Sequence, residues 1–299
     1  MIYKIYIDDD TVFSYADWSI LSSLEYEFTS PEEADIWCVG IKRYIDDKYL
    51  SGYKNIKYII SPATGLDHIS EDVKNKYEII SLIPKDVGEI RGSSEFTVFL
   101  VLSILRKSQS IFKNKNLIIG EELYGKTIGL LGYGRIARNI RPIFEAMGAK
   151  VIFHDIAYRS GFEKQDILKL SDIIIVLVSC TKENTGYIGG ADFLNIEKQP
   201  YFINMTRGFV VDDRSLLEAL ITKKIKGAAL DVVGDINIFE NYLNNNDNLI
   251  ITPHLAGSTY QSYEKACNYT IQKLEEKIKS NDLKKEAQKN SSEKKKAAD

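Results

Sequence analysis

Apolar residues in this chain gather in short runs, and stretches of helical period separate the runs. A few successive apolar residues bounded by turn formers mark strands buried on both faces, as in a parallel sheet. Residues 3–7, 35–41 and 56–60 read this way early in the chain. Residues 128–131, 151–153, 172–178, 201–204, 227–230 and 249–251 do so later. Between them the pattern predicts helices at 15–24, 46–53, 93–112, 164–170 and 261–279. The longest internal one, 93–112, holds no glycine to break it. A further helix after residue 134 sets Ile136, Ile140, Ile143, Phe144 and Met147 on one face. This alternation predicts an α/β fold with parallel sheets.

The join between strand 128–131 and its helix carries chemistry. It reads Gly132-Tyr133-Gly134-Arg135-Ile136-Ala137, the G-x-G-x-x-G/A turn that holds a dinucleotide pyrophosphate. Gly132 permits the tight turn, Gly134 lets backbone approach phosphate, and Ala137 lets the helix pack on the strand. The helix N-terminus offers unpaired N–H groups to the anion. Asp155 ends the next strand at about the twenty-residue interval expected for the carboxylate that binds the adenosine ribose. A carboxylate there repels a 2′-phosphate, so NAD is favoured over NADP. An ordinary strand–helix turn with a surface Asp is the bland alternative. The flanking strand, the helix and the acid together outweigh it.

Composition narrows the class. With 44% hydrophobic and 27% charged residues, the 299-residue chain has enough apolar material for one or two globular domains. A net charge of −3 makes no electrostatic case for nucleic acid. The opening residues lack a basic n-region and an apolar h-region, and the longest apolar stretch, 96–105, is too short to span a bilayer. Cys38, Cys180 and Cys267 have no metal-like spacing and suit the reducing cytoplasm. From residue 279 onward apolar residues nearly vanish, which predicts a frayed helix end and a disordered tail over 284–299.

The simplest architecture is two Rossmann-like domains. A doubly wound parallel sheet in the cofactor domain (96–261) is inserted into a smaller flavodoxin-like substrate domain (1–95 with 262–283). Ligands of such sheets bind beyond the carboxyl ends of the strands. The residues predicted there are Gly132, Asp155, Ser179 with Cys180, Thr206 with Arg207, Asp231 and His254.

This constellation resembles the D-isomer-specific 2-hydroxyacid dehydrogenase family over nearly the whole chain to about residue 280. The likeness rests on 125–137, on Ile203-Asn204-Met205-Thr206-Arg207-Gly208, and on Thr252-Pro253-His254-Leu255-Ala256-Gly257-Ser258. Residues 227–232 and 63–69 add to it. It implies NAD-linked reduction of a 2-keto acid, or the reverse, with domain closure excluding water before hydride transfer. His254 takes the acid/base role, for which an imidazole titrating near neutrality is suited. Arg207 pairs with the substrate carboxylate and polarises the carbonyl. Ala63, Thr64 and Gly65 supply backbone N–H groups to the substrate. The cofactor-binding set comprises Gly132, Gly134, Arg135, Ile136 and Asp155, with Ser179, Cys180, Met205, Thr206, Asp231 and Gly257 on later loops. Cys180 is read as packing, and His68 and His154 as structural or adenosine-adjacent. No metal is implied. The family also implies a homodimer paired through the cofactor domain, to which helix 96–105 could contribute.

Two departures stand out. The family places a Glu about five residues after the Asp of its Asp-Val pair, where it orients the catalytic His and raises its pKa. Here that position holds Ile236. A one-residue deletion would bring Asp235 into the slot, and Glu240 is a second candidate. The family also fits a strand between Asp155 and Asp172, where this chain has room only for a helix. The readings weighed are therefore an NAD-dependent 2-hydroxyacid dehydrogenase and an NAD(H)-binding regulatory module with weak or no catalysis. Tyr15, Tyr44, Tyr49 and Tyr53 either line a pocket for a polar acid or pack the surface.

Overall fold

The computed structural model of the chain describes residues 2–8, 10–82, 91–113, 118–158 and 161–296. It divides into two compact units, Met1–Gly88 with Ser258–Asp299, and Glu89–Gly257. Both joins fall a few residues before the expected 96 and 262.

The first unit runs β1 (Ile2–Ile7), α1 (Asp10–Phe13), β2 (Glu25–Phe28), β3 (Ile36–Cys38), α2 (Asp47–Leu50), β4 (Tyr58–Ser61), α3 (Glu71–Lys76) and β5 (Glu78–Ser81). The strands form one parallel sheet in the order β2-β1-β3-β4-β5, the flavodoxin-like winding. The predicted helix 15–24 is replaced by a 3₁₀ turn, Trp18–Leu21, followed by β2. Asp17 caps that turn by accepting from the Ser19 N–H at 3.0 Å. Ser70 likewise caps α3, which the apolar pattern did not reveal, by accepting from the Val73 N–H.

The final helix of the chain, Tyr260–Lys296, returns to this unit. Cys267, Ile271, Leu274 and Ile278 recur on one face and pack with Ile5, Ile36 and Ile60. The helix is described to Lys296, and residues 297–299 lie outside the described residues. No glycine or proline follows Gly257, and the Lys- and Glu-rich sequence favours helix by itself. Pairs such as Lys279–Glu275 at 3.2 Å add to it.

The second unit runs α4 (Arg91–Leu105), α5 (Ser108–Lys113), β6 (Thr127–Leu131), α6 (Arg135–Ala146), β7 (Lys150–His154), α7 (Lys164–Leu170) and β8 (Ile173–Val176). It continues α8 (Gly190–Leu194), β9 (Tyr201–Asn204), α9 (Asp213–Ile221), β10 (Gly227–Leu230), α10 (Glu240–Asn245) and β11 (Leu249–Ile251), so the final helix is α11. The sheet is parallel, in the order β11-β10-β9-β8-β6-β7. Among the described residues β7 is its edge, with only a turn and α7 before β8. The winding reverses between β6 and β8, which is where ligands of such sheets bind.

Two expectations for helices are corrected here. The predicted helix 93–112 breaks after Leu105, where Lys107 takes a left-handed φ of 53°. The freed Leu105 carbonyl accepts the Glu121 N–H at 2.8 Å, so the returning chain ends the helix where no glycine does. On α6 the buried face is Ala137, Ile140 and Phe144, whereas Ile143 and Met147 are each 40% exposed.

Candidate functional site

At the carboxyl edge of the second unit's sheet, β6 feeds the glycine turn. Gly132 has φ of 100°, and a Cβ there would lie 2.6 Å from the Leu177 carbonyl oxygen, so only glycine fits. Gly134 differs. It is the N-cap of α6 with φ of −77°, and a Cβ on it would meet nothing within 4 Å. The space over Gly134 is open, at the N-terminus of a twelve-residue helix, as a pyrophosphate cradle requires. Arg135 and Ile136 open that helix half-buried. Burial, with the nearby charge of Arg138, lowers the Arg135 pKa.

Asp155 does more than the sequence implied. Its Oδ2 accepts the Tyr133 N–H at 2.7 Å and its Oδ1 accepts the Ala157 N–H at 2.8 Å. The carboxylate thus pins the glycine turn from the neighbouring strand end. The Tyr133 ring stacks on Phe153 with centroids 3.8 Å apart, and Arg141 Nη1 donates to the Tyr133 hydroxyl at 3.2 Å. His154 Nδ1 lies 3.0 Å from the Phe162 carbonyl, consistent with the structural reading.

Beyond β8, Ser179 and Cys180 are exposed in a turn where the Ser179 carbonyl accepts from Thr181 N–H and Asn184 Nδ2. The packing role expected of Cys180 is therefore corrected, because the strand ends at Val176 and the turn that follows leaves the thiol exposed.

Asn204, at the end of β9, is an organising residue that the sequence reading quoted without a role. It is 2% exposed. Its Oδ1 accepts from the Thr206 N–H at 3.1 Å and the Thr206 hydroxyl at 2.8 Å. Its Nδ2 faces the carbonyls of Arg207 and Val232 at 3.3 and 3.4 Å. One buried amide therefore ties the Arg207 loop to the loop after β10. The two loops touch, since a Cβ on Gly208 would fall 2.2 Å from the Val233 carbonyl carbon. Met205 and Thr206 are buried, and half-buried Arg207 donates from Nη1 to the Thr206 carbonyl at 3.0 Å. The signal for Asn204 was a polar side chain closing a buried apolar run.

Asp231 ends β10 and is 2% exposed. Its Oδ1 accepts the Thr252 hydroxyl and the Leu255 N–H, each at 2.7 Å, and its Oδ2 accepts the Ala256 N–H at 3.0 Å. The loop 252–256 wraps around this carboxylate and presents exposed His254, which holds a left-handed φ of 57°. Such a conformation is uncommon outside glycine and is tolerated by histidine better than by most residues. Gly257 follows, with open space at its Cβ position.

Asp235 is not brought to His254 by its hydrogen bonds. It caps the 3₁₀ turn Ile236–Phe239, and its Oδ1 accepts from Asn237 N–H at 3.0 Å and Asn237 Nδ2 at 2.8 Å. Its own N–H and that of Gly234 both donate to Asp213 Oδ2 at 2.8 Å. Burial raises the Asp213 pKa, against those two amides. Glu240 opens α10, exposed.

In the first unit, the loop 62–68 follows β4 at the carboxyl edge of that sheet. Among the described residues the N–H groups of Ala63, Thr64 and Gly65 make no hydrogen bond. Of the tyrosines singled out by sequence, Tyr15 packs on Tyr263 and Tyr260, and Tyr53 on Trp37. Tyr49 donates to Asp8 Oδ1 at 2.8 Å, and Tyr44 is exposed.

Residues 101–256 match the family described as D-isomer specific 2-hydroxyacid dehydrogenase, NAD binding domain. The chain is 30% identical over 253 residues to a glyoxylate reductase of Thermofilum pendens, covering 77% of this chain and 74% of the relative. It is 30% identical over 224 residues to a D-3-phosphoglycerate dehydrogenase of Bacillus subtilis, covering 70% of this chain but 42% of that longer protein. Its fold is similar to that of the D-lactate dehydrogenase from Aquifex aeolicus solved with NAD and lactic acid, with TM-score 0.72 and 24% identity over 93% of this chain and 96% of that one.

Proposed function

The chain belongs to the D-isomer specific 2-hydroxyacid dehydrogenase family, and from that premise we propose how its own residues divide the interconversion of a 2-keto acid and a 2-hydroxy acid. NAD is the cofactor of this oxidoreductase. The observation that carries the reading is the loop 252–256, wrapped on Asp231 and presenting His254 at the sheet edge that also bears Gly132, Gly134 and Arg207.

The open space over Gly134 and the α6 N-terminus would receive the pyrophosphate, and Asp155 would bind the adenosine ribose. NADH held there would supply the hydride for the carbonyl carbon. Arg207 pairs with the carboxylate of the acid and polarises its carbonyl. His254, as imidazolium, gives a proton to the carbonyl oxygen as charge develops there, and takes it back in the reverse direction. The amides of Ala63, Thr64 and Gly65, which make no hydrogen bond among the described residues, are proposed as donors to the substrate carboxylate. Asp231 and Asn204 are positioning residues for the loops of His254 and Arg207. Asp235, bonded to Asn237, is assigned to the support of its own turn.

Glyoxylate heads the substrates to test, because a 30%-identical relative is a glyoxylate reductase. A homodimer paired through the second unit is part of the proposal, supported by the exposed apolar side chains Phe99, Ile143 and Met147. A cytoplasmic site is also part of it, supported by three cysteines that no disulfide joins among the described residues.

The test is NADH oxidation with glyoxylate, pyruvate and hydroxypyruvate, alongside NADH titration by fluorescence. His254→Asn is the variant of choice because asparagine also tolerates a left-handed φ. Its kcat should fall about 10²–10⁴-fold with NADH affinity retained. Turnover that survives His254→Asn would remove the histidine from the chemistry. NADH binding without turnover on any of the acids would count against the dehydrogenase reading.

A further inference from the structure

The loop 62–67 is closed at its neck by two side chains. Ser61, the last residue of β4, is fully buried. His68, on the far side of the loop, is half-buried. Ser61 Oγ and His68 Nε2 are 3.0 Å apart and hydrogen-bonded. A serine so buried is no nucleophile, so the pair is a tether.

The backbone of the loop is arranged with a consistent polarity. The Ala63 carbonyl accepts the Leu82 N–H at 3.2 Å, and the Leu66 carbonyl accepts the Ile69 N–H at 3.0 Å. The His68 carbonyl accepts the Ile45 N–H at 2.7 Å, and Ile45 also bridges to Ile69. Carbonyls at three points are thus tied to the protein. Among the described residues the three successive N–H groups of Ala63, Thr64 and Gly65 are not tied to anything. Pro62 has no N–H to offer and holds φ near −65°. Successive amides that make no hydrogen bond are donors available to a carboxylate.

Such a set binds well only if its shape exists before the anion arrives, because each residue ordered on binding lowers affinity. Backbone ties hold Ala63 and Leu66, but among the described residues Thr64 and Gly65 between them have none. The side-chain bond across the neck limits how far they can swing.

We propose that His68 is a positioning residue for the substrate carboxylate, acting through its bond to Ser61 to hold the amides of Ala63, Thr64 and Gly65 in place. This rests on the dehydrogenase reading above. His68 touches no reacting atom in it. The bond survives either protonation state of the imidazole, since a serine hydroxyl can donate or accept.

The experiment compares Ser61→Ala, His68→Phe and His68→Gln in the full chain, with glyoxylate or whichever of the three test acids turns over best. Loss of the tether should raise KM for the keto acid about five- to tenfold in the first two variants, the size of one net hydrogen bond. The kcat should stay within about twofold, because the chemistry at His254 is untouched. NADH affinity, read by fluorescence, should match wild type. The double variant should be no worse than either single one, as a shared bond demands. His68→Gln, whose amide can still reach Ser61, should restore KM.

Ser61→Ala removes one oxygen and protects the test if His68→Phe fails to fold. An unchanged KM in Ser61→Ala overturns the proposal. So does a loss of kcat, NADH affinity and thermal stability together, which would mark a purely structural bond. If wild type turns over none of the acids, the dehydrogenase reading fails and this inference falls with it. Turnover by wild type with an insensitive KM sinks this inference alone.

Discussion

The carbonyl oxygen of Asp231 accepts the backbone N–H of His254 at 2.9 Å, while the carboxylate of the same residue accepts the N–H groups of Leu255 and Ala256. One buried acid therefore shapes the loop that carries the histidine. A hydrogen bond to a charged group contributes about 1.5–3 kcal/mol. Asp231→Asn keeps one acceptor and turns an amide donor toward a donor. We expect kcat/KM to fall about tenfold to a hundredfold, on a scale of about 1.4 kcal/mol per factor of ten. Melting should drop by several degrees, about 2–4 °C per kcal/mol for a unit of this size. Near-wild-type kinetics in Asp231→Asn would show that the loop holds its shape without the carboxylate.

Asp155 has two duties, and this changes what its removal should do. If it only repelled a 2′-phosphate, Asp155→Ala would trade NADH affinity for NADPH affinity. Because its Oδ2 also accepts the Tyr133 N–H at 2.7 Å, removing it loosens the glycine turn itself. Both cofactors should then bind more weakly than NADH binds wild type, NADH by about ten- to a hundredfold. Asp155→Asn, which keeps an acceptor for Tyr133, should lose less. Fluorescence titration with NADH and NADPH decides it: an Asp155→Ala protein that gains NADPH affinity while keeping that for NADH would leave the second duty without support.

The parts of this protein that were legible in its sequence are those set by steric necessity. Gly132 stands where a Cβ would strike the Leu177 carbonyl, and the apolar runs of β6, β8 and β9 can only be buried strands. What escaped was set by partners distant in sequence. The edge strand β2 reads Glu-Tyr-Glu-Phe and borrows its structure from pairing with β1. The break at Lys107 depends on Glu121 returning to cap Leu105. Counting along the chain makes Asp235 a candidate partner of His254, and its own hydrogen bonds go to Asn237. Asp213, more than twenty residues earlier, sets its loop by holding the N–H groups of Gly234 and Asp235.

Acid stability should depend on Glu121. Burial alone would raise its pKa, but hydrogen bonds from Lys126 (2.6 Å), Lys226 (3.1 Å) and the Tyr201 hydroxyl (3.0 Å) outweigh burial. The result is a carboxyl lowered from its ordinary 4.5 to about 2. A depressed folded-state pKa means that the contribution is complete above pH 4.5 and disappears as pH falls toward 2. Glu121 is partly exposed, so solvent screens the effect and its size is modest. Melting temperature should decline more steeply between those pH values in wild type than in Glu121→Gln. Parallel declines would assign the acid sensitivity of the second unit to other carboxylates.

Asp235→Ala separates two roles for one carboxylate. Read from sequence alone, loss of a partner to His254 would lower the pH optimum for keto-acid reduction. The hydrogen bonds of Asp235 to Asn237 predict something else. The variant loses the cap of the turn Ile236–Phe239, a cost of about 1 kcal/mol that should lower melting by about 2–4 °C. Its pH–rate profile should overlay that of wild type, because the side-chain bonds of Asp235 go to Asn237 and not to the imidazole. The check is kcat/KM against pH for both proteins with one keto acid. A profile displaced by more than about half a pH unit, a difference of about 0.7 kcal/mol between protonation states, would return the carboxylate to the histidine during turnover.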